Sequence, residues 1–178
     1  MVSLNMNMNM RELCKSKLPT RVLSVKNPWA YLICSGIKDI ENRYWKTSFR
    51  GTVFINVPSN PAAEPYQLFT DEQVDIVDDK MFEILKSYNE VSRVIGSVEI
   101  VDCVENHPSI WAEKNNYNMG HLYDDLKLLG REDHQRPIYN FVLRNPILYD
   151  EPILNVGGKL MLWKPDFEIP DKIINLYV

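Results

Sequence analysis

The first hydrophobic pattern along the chain predicts a short strand followed by a short helix. Residues 21–25 alternate in side-chain direction and are rich in β-branched and aliphatic types, as in a half-buried strand. Asn27 then supplies a side-chain oxygen that can cap a helix, and Pro28 is suited to the first helical position. The mostly apolar run 29–35 ends at Gly36, a residue favoured just after a helix. We therefore predict a helix over residues 29–35.

The next segment predicts an extended stretch and a stronger strand. Alternation places two sets of side chains on opposite faces, Asp39, Glu41, Arg43 and Trp45 on one and Ile40 and Tyr44 on the other. Residues 52–57 are strongly strand-like, are preceded by Arg50-Gly51 and end before Pro58.

A second helix is predicted from Thr70. Thr70 and Gln73 have the spacing of a capping box, in which each side chain bonds to the backbone of the other. Apolar residues then recur at helical spacing and predict a buried stripe: Val74, Val77, Met81, Ile84 and Leu85.

The remaining patterns predict three more strands. Residues 93–105 form a long strand pattern in which Gly96 marks a bulge or a close backbone approach. Strands are also predicted at 139–143 and 159–163, separated by a proline-rich connection and a Gly157-Gly158 turn. Two short helices are predicted as well, one from Pro108 through Glu113 and one at 122–129. Strands and helices do not follow strict β-α-β alternation, so the pattern favours an α+β fold with a mixed or closed sheet.

Composition is consistent with one globular domain. The chain has 178 residues, 45% hydrophobic and 25% charged, and we place the domain at 18–165, with tails at 1–17 and 166–178. No apolar run reaches the roughly 18 residues of a membrane-spanning helix, and the first residues lack a secretory signal pattern. The three widely spaced cysteines predict a reducing compartment, so we expect a cytoplasmic protein without membrane association.

The charge distribution limits the classes of ligand. The net charge is −4, which disfavours binding of extended duplex nucleic acid. Residues 21–51, however, include six basic and only two acidic residues, whereas residues 71–105 include ten acidic and three basic residues. The two segments are either solvated faces or a local cationic site for a short ligand and an acidic surface for a protein partner. Cys103 and His107 lack a second pair of ligands, and we expect no metal and no cofactor.

Several motifs resemble the ASCH domain family. The resemblance rests on residues 23–30 (LSVKNPWA), residues 36–43 (GIKDIENR, a G-x-K-x-x-E-x-R pattern), Arg50-Gly51 and residues 95–99, together with the closing segments 145–146, 151–153 and 158–163. The match extends roughly over residues 21–163. It implies a PUA-like mixed β-barrel flanked by helices, with a cleft between the first helix and the barrel that binds RNA, a modified base or a nucleotide-sized ligand.

The chemistry of the motif fits such a cleft. On a strand, Glu41 and Arg43 leave the same face, where they can either recognise a nucleobase edge or form a structural ion pair. Lys38 joins them only if the chain is still turning after Gly36. We predict that the ligand site consists of six residues: Lys26, Trp29, Lys38, Glu41, Arg43 and Trp45. The two tryptophans could stack on a base or simply pack in the core.

An enzymatic alternative comes from the same resemblance. The ASCH-like N4-acetylcytidine amidohydrolases use a Lys, a Thr and a Glu. Lys38 matches the Lys, but Glu41 stands at the Thr position, and Asn115 stands at the Glu position with Glu113 two residues away. We therefore expect a binding module rather than an enzyme, with general acid–base chemistry by Lys38 and Glu41, or RNA cleavage, as the alternative.

Overall fold

A six-stranded mixed sheet organises the part of the chain that the structure, a computed structural model, describes: residues 18–60, 69–115 and 136–177. The predicted tail 1–17 and the predicted helix 122–129 lie outside these ranges, as do His121 and His134, for which the sequence predicts exposed loop positions. The strand order is β2-β5-β4-β3-β1-β6, with β1 and β3 parallel and all other neighbours antiparallel. The sheet curls into a half-barrel with helices packed on it, which confirms the predicted α+β class and barrel-like mixed sheet.

The strands are β1 (Arg21–Ser24), β2 (Ile40–Arg43), β3 (Gly51–Val57), β4 (Arg93–Val104), β5 (Tyr139–Leu154) and β6 (Leu162–Trp163). The helices are α1 (Trp29–Cys34), α2 (Asp71–Val77), α3 (Met81–Tyr88) and α4 (Asp171–Ile174), with 3-10 turns at Asp78–Lys80 and Asn175–Tyr177. None of the helices in the described ranges is long and apolar enough to cross a membrane.

The ends of α1 follow local sequence signals. The Asn27 side-chain oxygen accepts the Tyr31 amide at 3.2 Å, although Pro28 is the residue in the capping position. The Asn27 amide group also donates to the carbonyl oxygens of Ser87 and Glu90, which ties the start of α1 to the end of α3. Gly36 ends the helix with φ +80°, a conformation that other residues rarely adopt.

The two faces of the sheet bury separate apolar layers. Leu23, Val53 and Ile55 belong to the core cluster that includes α1 residues, whereas Val22 and Phe54 belong to a second cluster. The alternation along β1 and β3 therefore points successive side chains to opposite faces, as a strand requires.

The C-terminal residues contribute to the second cluster. We placed residues 166–178 in a tail from the sequence, but α4 buries Ile173 in that cluster, and the Tyr177 hydroxyl donates to Ser97 at 2.7 Å. The short apolar pattern of this segment gives little local signal, and its position depends on the sheet that it covers.

Strand β5 is longer than the sequence pattern predicted. The connection expected to be proline-rich and non-regular is part of a continuous strand from 139 to 154. Beyond residue 143 the described structure pairs β5 with β4 only, and Pro146 follows a bulge at Asn145 (φ +50°). Proline is tolerated in a strand at such an edge or bulge because no ladder hydrogen bond is lost.

Other local predictions were partly confirmed. The capping box of Thr70 and Gln73 is present, but a 3-10 turn divides the predicted helix, and Val74 is exposed. The helix predicted after Pro108 was wrong, because residues 108–115 form a turn and irregular backbone. Gly96 does mark a close approach: a Cβ there would lie 2.2 Å from the Ile147 carbonyl oxygen.

The acidic side chains on and after α2 are exposed: Asp71, Glu72, Asp75, Asp78 and Asp79. A protein partner at this surface stays a prediction.

Candidate functional site

Lys38, Glu41 and Arg43 meet at the junction between α1 and β2. The backbone is still turning at Lys38, whose amide donates to the Leu32 carbonyl oxygen at 2.9 Å. On an ideal strand the Lys38 side chain would point away from Glu41, because the two residues are three apart. The turn directs it toward Glu41 instead. Gly36 makes the turn possible through its positive φ.

The three side chains form one ionic network. Lys38 Nζ lies 3.2 Å from Glu41 Oε2, and Arg43 Nη2 lies 2.9 Å from Glu41 Oε1, so each carboxylate oxygen has its own cation. Lys38 and Glu41 are only 5% and 7% exposed. Lys38 Nζ also donates to the Ile40 carbonyl oxygen, and Arg43 Nη2 donates to that of Ser24 at 2.5 Å. Two cations share one carboxylate, which leaves the network electropositive while Lys38 is protonated.

Lys38 and Arg43 differ in their electrostatic and hydrogen-bonding surroundings. Burial lowers the pKa of Lys38 below its usual range, although the neighbouring Glu41 carboxylate opposes this effect. Arg43 Nε is buried and has no hydrogen-bond partner within the described ranges. A buried donor without a partner is unusual in proteins and is a reason to ask what it binds.

Two cavities adjoin this network and share Trp29 and Glu41 as a common wall. We call the first, of about 580 Å³, the lysine cavity; it is lined by Trp29, Lys38, Glu41, Asn42, Thr70, Gln73, Ile110, Trp111, Ala112 and Glu113. We call the second, of about 570 Å³, the arginine cavity; it is lined by Ser24, Val25, Lys26, Trp29, Glu41, Arg43, Trp45, Pro58, Gly158, Lys159, Leu160 and Met161. The six residues predicted from the sequence therefore all line one cavity or the other, and they divide between two cavities instead of filling one.

The tryptophans are half-buried walls. Trp29 makes edge contacts with Phe69 and Trp111 at centroid distances of 5.2 and 6.4 Å, and Lys38 Nζ lies 5.7 Å from its ring centroid. Trp45 packs edge-on against Phe141 at 4.9 Å and lines the arginine cavity only. Both rings are fixed by packing and still contribute surface to a cavity.

Sequence reasoning named Glu113 but missed how the far wall of the lysine cavity is held together. Asn42 holds this wall: its Nδ2 donates to the Trp111 carbonyl oxygen at 2.9 Å, and its Oδ1 accepts the Glu113 amide at 3.1 Å. Asn42 and Trp111 are 69 residues apart in the sequence, so no local pattern could have paired them.

Asn115 and Glu113 differ in their relation to the lysine cavity. Asn115 is engaged with the Ile138 backbone, with contacts of 2.7 and 3.0 Å, and does not line the lysine cavity. Glu113, two residues earlier, does line it, and its carboxylate acts on the pKa of Lys38.

Sequence reasoning also missed the outer wall of the arginine cavity. The Lys159 amide donates to Ser24 Oγ at 3.1 Å, which brings residues 158–161 over the end of β1. Lys159 Nζ pairs with Asp166 at 2.5 Å and lies 5.0 Å from the Trp163 ring centroid.

The described ranges contain no group of three or more His, Cys, Asp or Glu residues arranged to hold a metal ion. Cys103 is buried with its sulfur near the Thr47 amide, and His107 Nδ1 accepts the Ser109 amide.

The curled mixed sheet, the helices packed on it and the two cavities beside α1 define an α+β domain with a barrel-like sheet. The ASCH domain model matches residues 23–147, and the chain belongs to the ASCH domain family. Among solved structures, the chain is similar to the ASCH protein from Zymomonas mobilis, with 17% identity, a TM-score of 0.47 and coverage of 89% of this chain and 95% of that one. A mutant ASCH protein from Zymomonas mobilis gives 16% identity, a TM-score of 0.46 and coverage of 89% and 98%. No curated protein matches the sequence.

Proposed function

We propose that this protein is a binding module that recognises a nucleotide, presented by RNA or carrying a modified base, in the cleft between α1 and the sheet. The observation that carries the proposal is the Lys38–Glu41–Arg43 network, with Lys38 and Glu41 buried and Arg43 half-buried, at the wall between two ligand-sized cavities. Small-molecule sites usually have volumes of about 300–1,000 Å³ and a few fixed polar groups, and each cavity fits this description.

The donors of the network support the recognition of a polar, planar ligand. An ammonium has three donors, and Lys38 uses two of them, on Glu41 and on the Ile40 carbonyl oxygen. Arg43 directs Nη2 to protein acceptors and keeps Nε without a partner in the described structure. Within the described ranges Lys38 therefore retains one donor for an acceptor atom of a ligand, and the Arg43 guanidinium supplies positive charge beside the arginine cavity.

The charge balance supports a short ligand. The chain carries a net charge of −4, but Lys26, Arg43 and Lys159 line the arginine cavity beside the single carboxylate of Glu41. One or two phosphate contacts predict a shallow dependence of affinity on salt, whereas a protein that grips many phosphates loses ~10³-fold or more between low and moderate salt.

The test is Arg43→Ala, with Arg50→Ala as the matched control. Arg50 pairs with Asp102 at the surface and lines neither cavity. Binding of fluorescein-labelled pentanucleotides of A, C, G and U is measured by fluorescence anisotropy, and folding by circular dichroism. A charged hydrogen bond contributes about 1.5–3 kcal/mol, so Arg43→Ala should weaken binding by about tenfold or more. Unchanged binding of all four probes by a folded Arg43→Ala variant would refute the assigned site.

Amide hydrolysis on a modified pyrimidine nucleoside is a second candidate. It is favoured by one observation, that the lysine cavity holds both Lys38, whose pKa burial lowers, and the Glu113 carboxylate. A lysine with a lowered pKa can act as a general base, and Glu41 is its immediate partner. Incubation with N4-acetylcytidine, with a competent homologue as control, decides this: absence of cytidine dismisses the candidate, and product that disappears in Lys38→Met supports it.

A further inference from the structure

We propose, resting on the proposed function, that the ligand is a single-stranded nucleic acid that spans both cavities. A base enters the lysine cavity, and the phosphate and sugar of the adjoining nucleotide lie in the arginine cavity, with Trp29 and Glu41 as the wall between them. The recognition unit is then a step of two nucleotides instead of one free base.

The cavities have nearly equal volumes, about 580 and 570 Å³, and share a wall. Each lies within the range of a small-ligand site, so a nucleoside in one leaves the other empty. In a polynucleotide strand each nucleotide is covalently linked to the next at a fixed distance. Two adjacent cavities are therefore suitable for two consecutive nucleotides.

The lysine cavity has the chemistry of a base site. It combines donors and acceptors, from Lys38, Gln73 and Glu113, with the apolar surfaces of Trp29 and Trp111. Unstacked bases are recognised by such a mixture of aromatic surface and hydrogen bonds to their edges.

The arginine cavity has the chemistry of a phosphate site. Three cations line it, Lys26, Arg43 and Lys159, and Glu41, the single carboxylate among its lining residues, is already neutralised by two cations. The Lys159–Asp166 pair is about half exposed, and exposed pairs exchange partners at little cost.

The edge of the arginine cavity carries apolar side chains that suit a neighbouring base. Leu160 is 92% exposed and Met161 is 58% exposed, and both line this cavity. Packing against a sugar or a splayed base would remove their apolar surface from water. Duplex nucleic acid is excluded because paired and stacked bases cannot enter a cavity.

The experiment compares ligands of different length with a pair of charge-reversal variants. Lys26→Glu reverses an exposed cation of the arginine cavity, and Lys46→Glu makes the same change in net charge at an exposed residue that lines neither cavity. The probes are the four free ribonucleosides, by calorimetry, and the pentaribonucleotides and pentadeoxynucleotides of each base, by anisotropy at several salt concentrations.

We expect a pentanucleotide to bind at least tenfold more tightly than the same nucleoside. Lys26→Glu should weaken the pentanucleotide about fivefold and reduce the salt slope by about 0.7, the value for one phosphate of a single strand. Its effect on the nucleosides, which carry no phosphate, should be smaller than its effect on the pentanucleotides, and Lys46→Glu should change the binding of neither. Tighter binding of the ribose series identifies RNA, and equal binding identifies any single strand.

The negative outcomes separate the two proposals. The two-nucleotide proposal is overturned if pentanucleotides bind no more tightly than nucleosides, or if both charge reversals have an equal effect. The proposed function still stands in either case if nucleoside binding depends on Arg43. Failure of all nucleosides and pentanucleotides to bind overturns both.

Discussion

The buried carboxylate of Glu41 gives the sharpest test of the network, through Glu41→Gln. The substitution keeps the side-chain shape and removes the negative charge that Lys38 and Arg43 share. Arg43 keeps the Ser24 carbonyl oxygen and is 26% exposed, whereas Lys38 is almost fully buried and loses its only ionic partner among the described residues. Lys38 therefore determines the cost.

The magnitude has an upper bound because Lys38 can release its proton. Its ordinary pKa is 10.5, and each unit between that value and the working pH costs about 1.4 kcal/mol, so neutralisation at pH 7 costs about 5 kcal/mol at most. Breaking a buried ion pair typically costs about 3–5 kcal/mol. We expect Glu41→Gln to lower the free energy of unfolding by about 3 kcal/mol or more.

The pH dependence has a definite sign. Burial lowers the pKa of Lys38 in the folded protein, so between that pKa and 10.5 the unfolded chain binds more protons than the folded one. This contribution makes stability rise with pH through that window. Removal of the Glu41 charge lowers the pKa of Lys38 further, so the variant should gain stability with pH over a wider range than the parent protein.

The assay is urea unfolding at several pH values followed by tryptophan fluorescence, with Glu151→Gln as control. Glu151 pairs with Lys172, but its side chain is 73% exposed, so its loss should cost at most about 1 kcal/mol. The reasoning fails if Glu41→Gln costs no more than the control, or if its stability does not rise with pH more than that of the parent.

Two further predictions concern the sheet. Gly96→Ala should destabilise the protein by about 3 kcal/mol or more, because its Cβ would lie 2.2 Å from the Ile147 carbonyl oxygen. Gly157→Ala has nothing within 4 Å of the new Cβ, so it should change the free energy of unfolding by no more than about 0.5 kcal/mol. Equal shifts of the thermal unfolding midpoint in the two variants would contradict the close approach at Gly96. Tyr177→Phe should cost about 1–2 kcal/mol in urea unfolding, since its hydroxyl donates to Ser97 at 2.7 Å in a half-buried position; an unchanged midpoint would show that this bond does not hold the C-terminal segment.

Much of the fold was accessible from local patterns. The alternation of 21–25, the stop at Gly36 and the capping box at Thr70 each depend on residues within a few positions, and the structure contains all three features. The pattern did not predict the 3-10 turn at 78–80, whose residues are exposed, or the irregular backbone after Pro108.

The candidate site was only partly accessible. The sequence indicated Lys38, Glu41 and Arg43 and required a turn after Gly36 for them to meet, and the structure contains that turn and those contacts. Their role in binding stays a prediction. Local pattern could not show that the network separates two cavities.

By itself, the sequence determined the starts of α1 and α2, the main strands and the family resemblance, because capping, alternation and the G-x-K-x-x-E-x-R pattern are properties of neighbouring residues. Only the tertiary structure decided the cavities, since their walls join Asn42 to Trp111 across 69 residues and Ser24 to Lys159 across 135. Such contacts follow from the register and curl of the sheet, which every strand must satisfy together and which no short segment encodes.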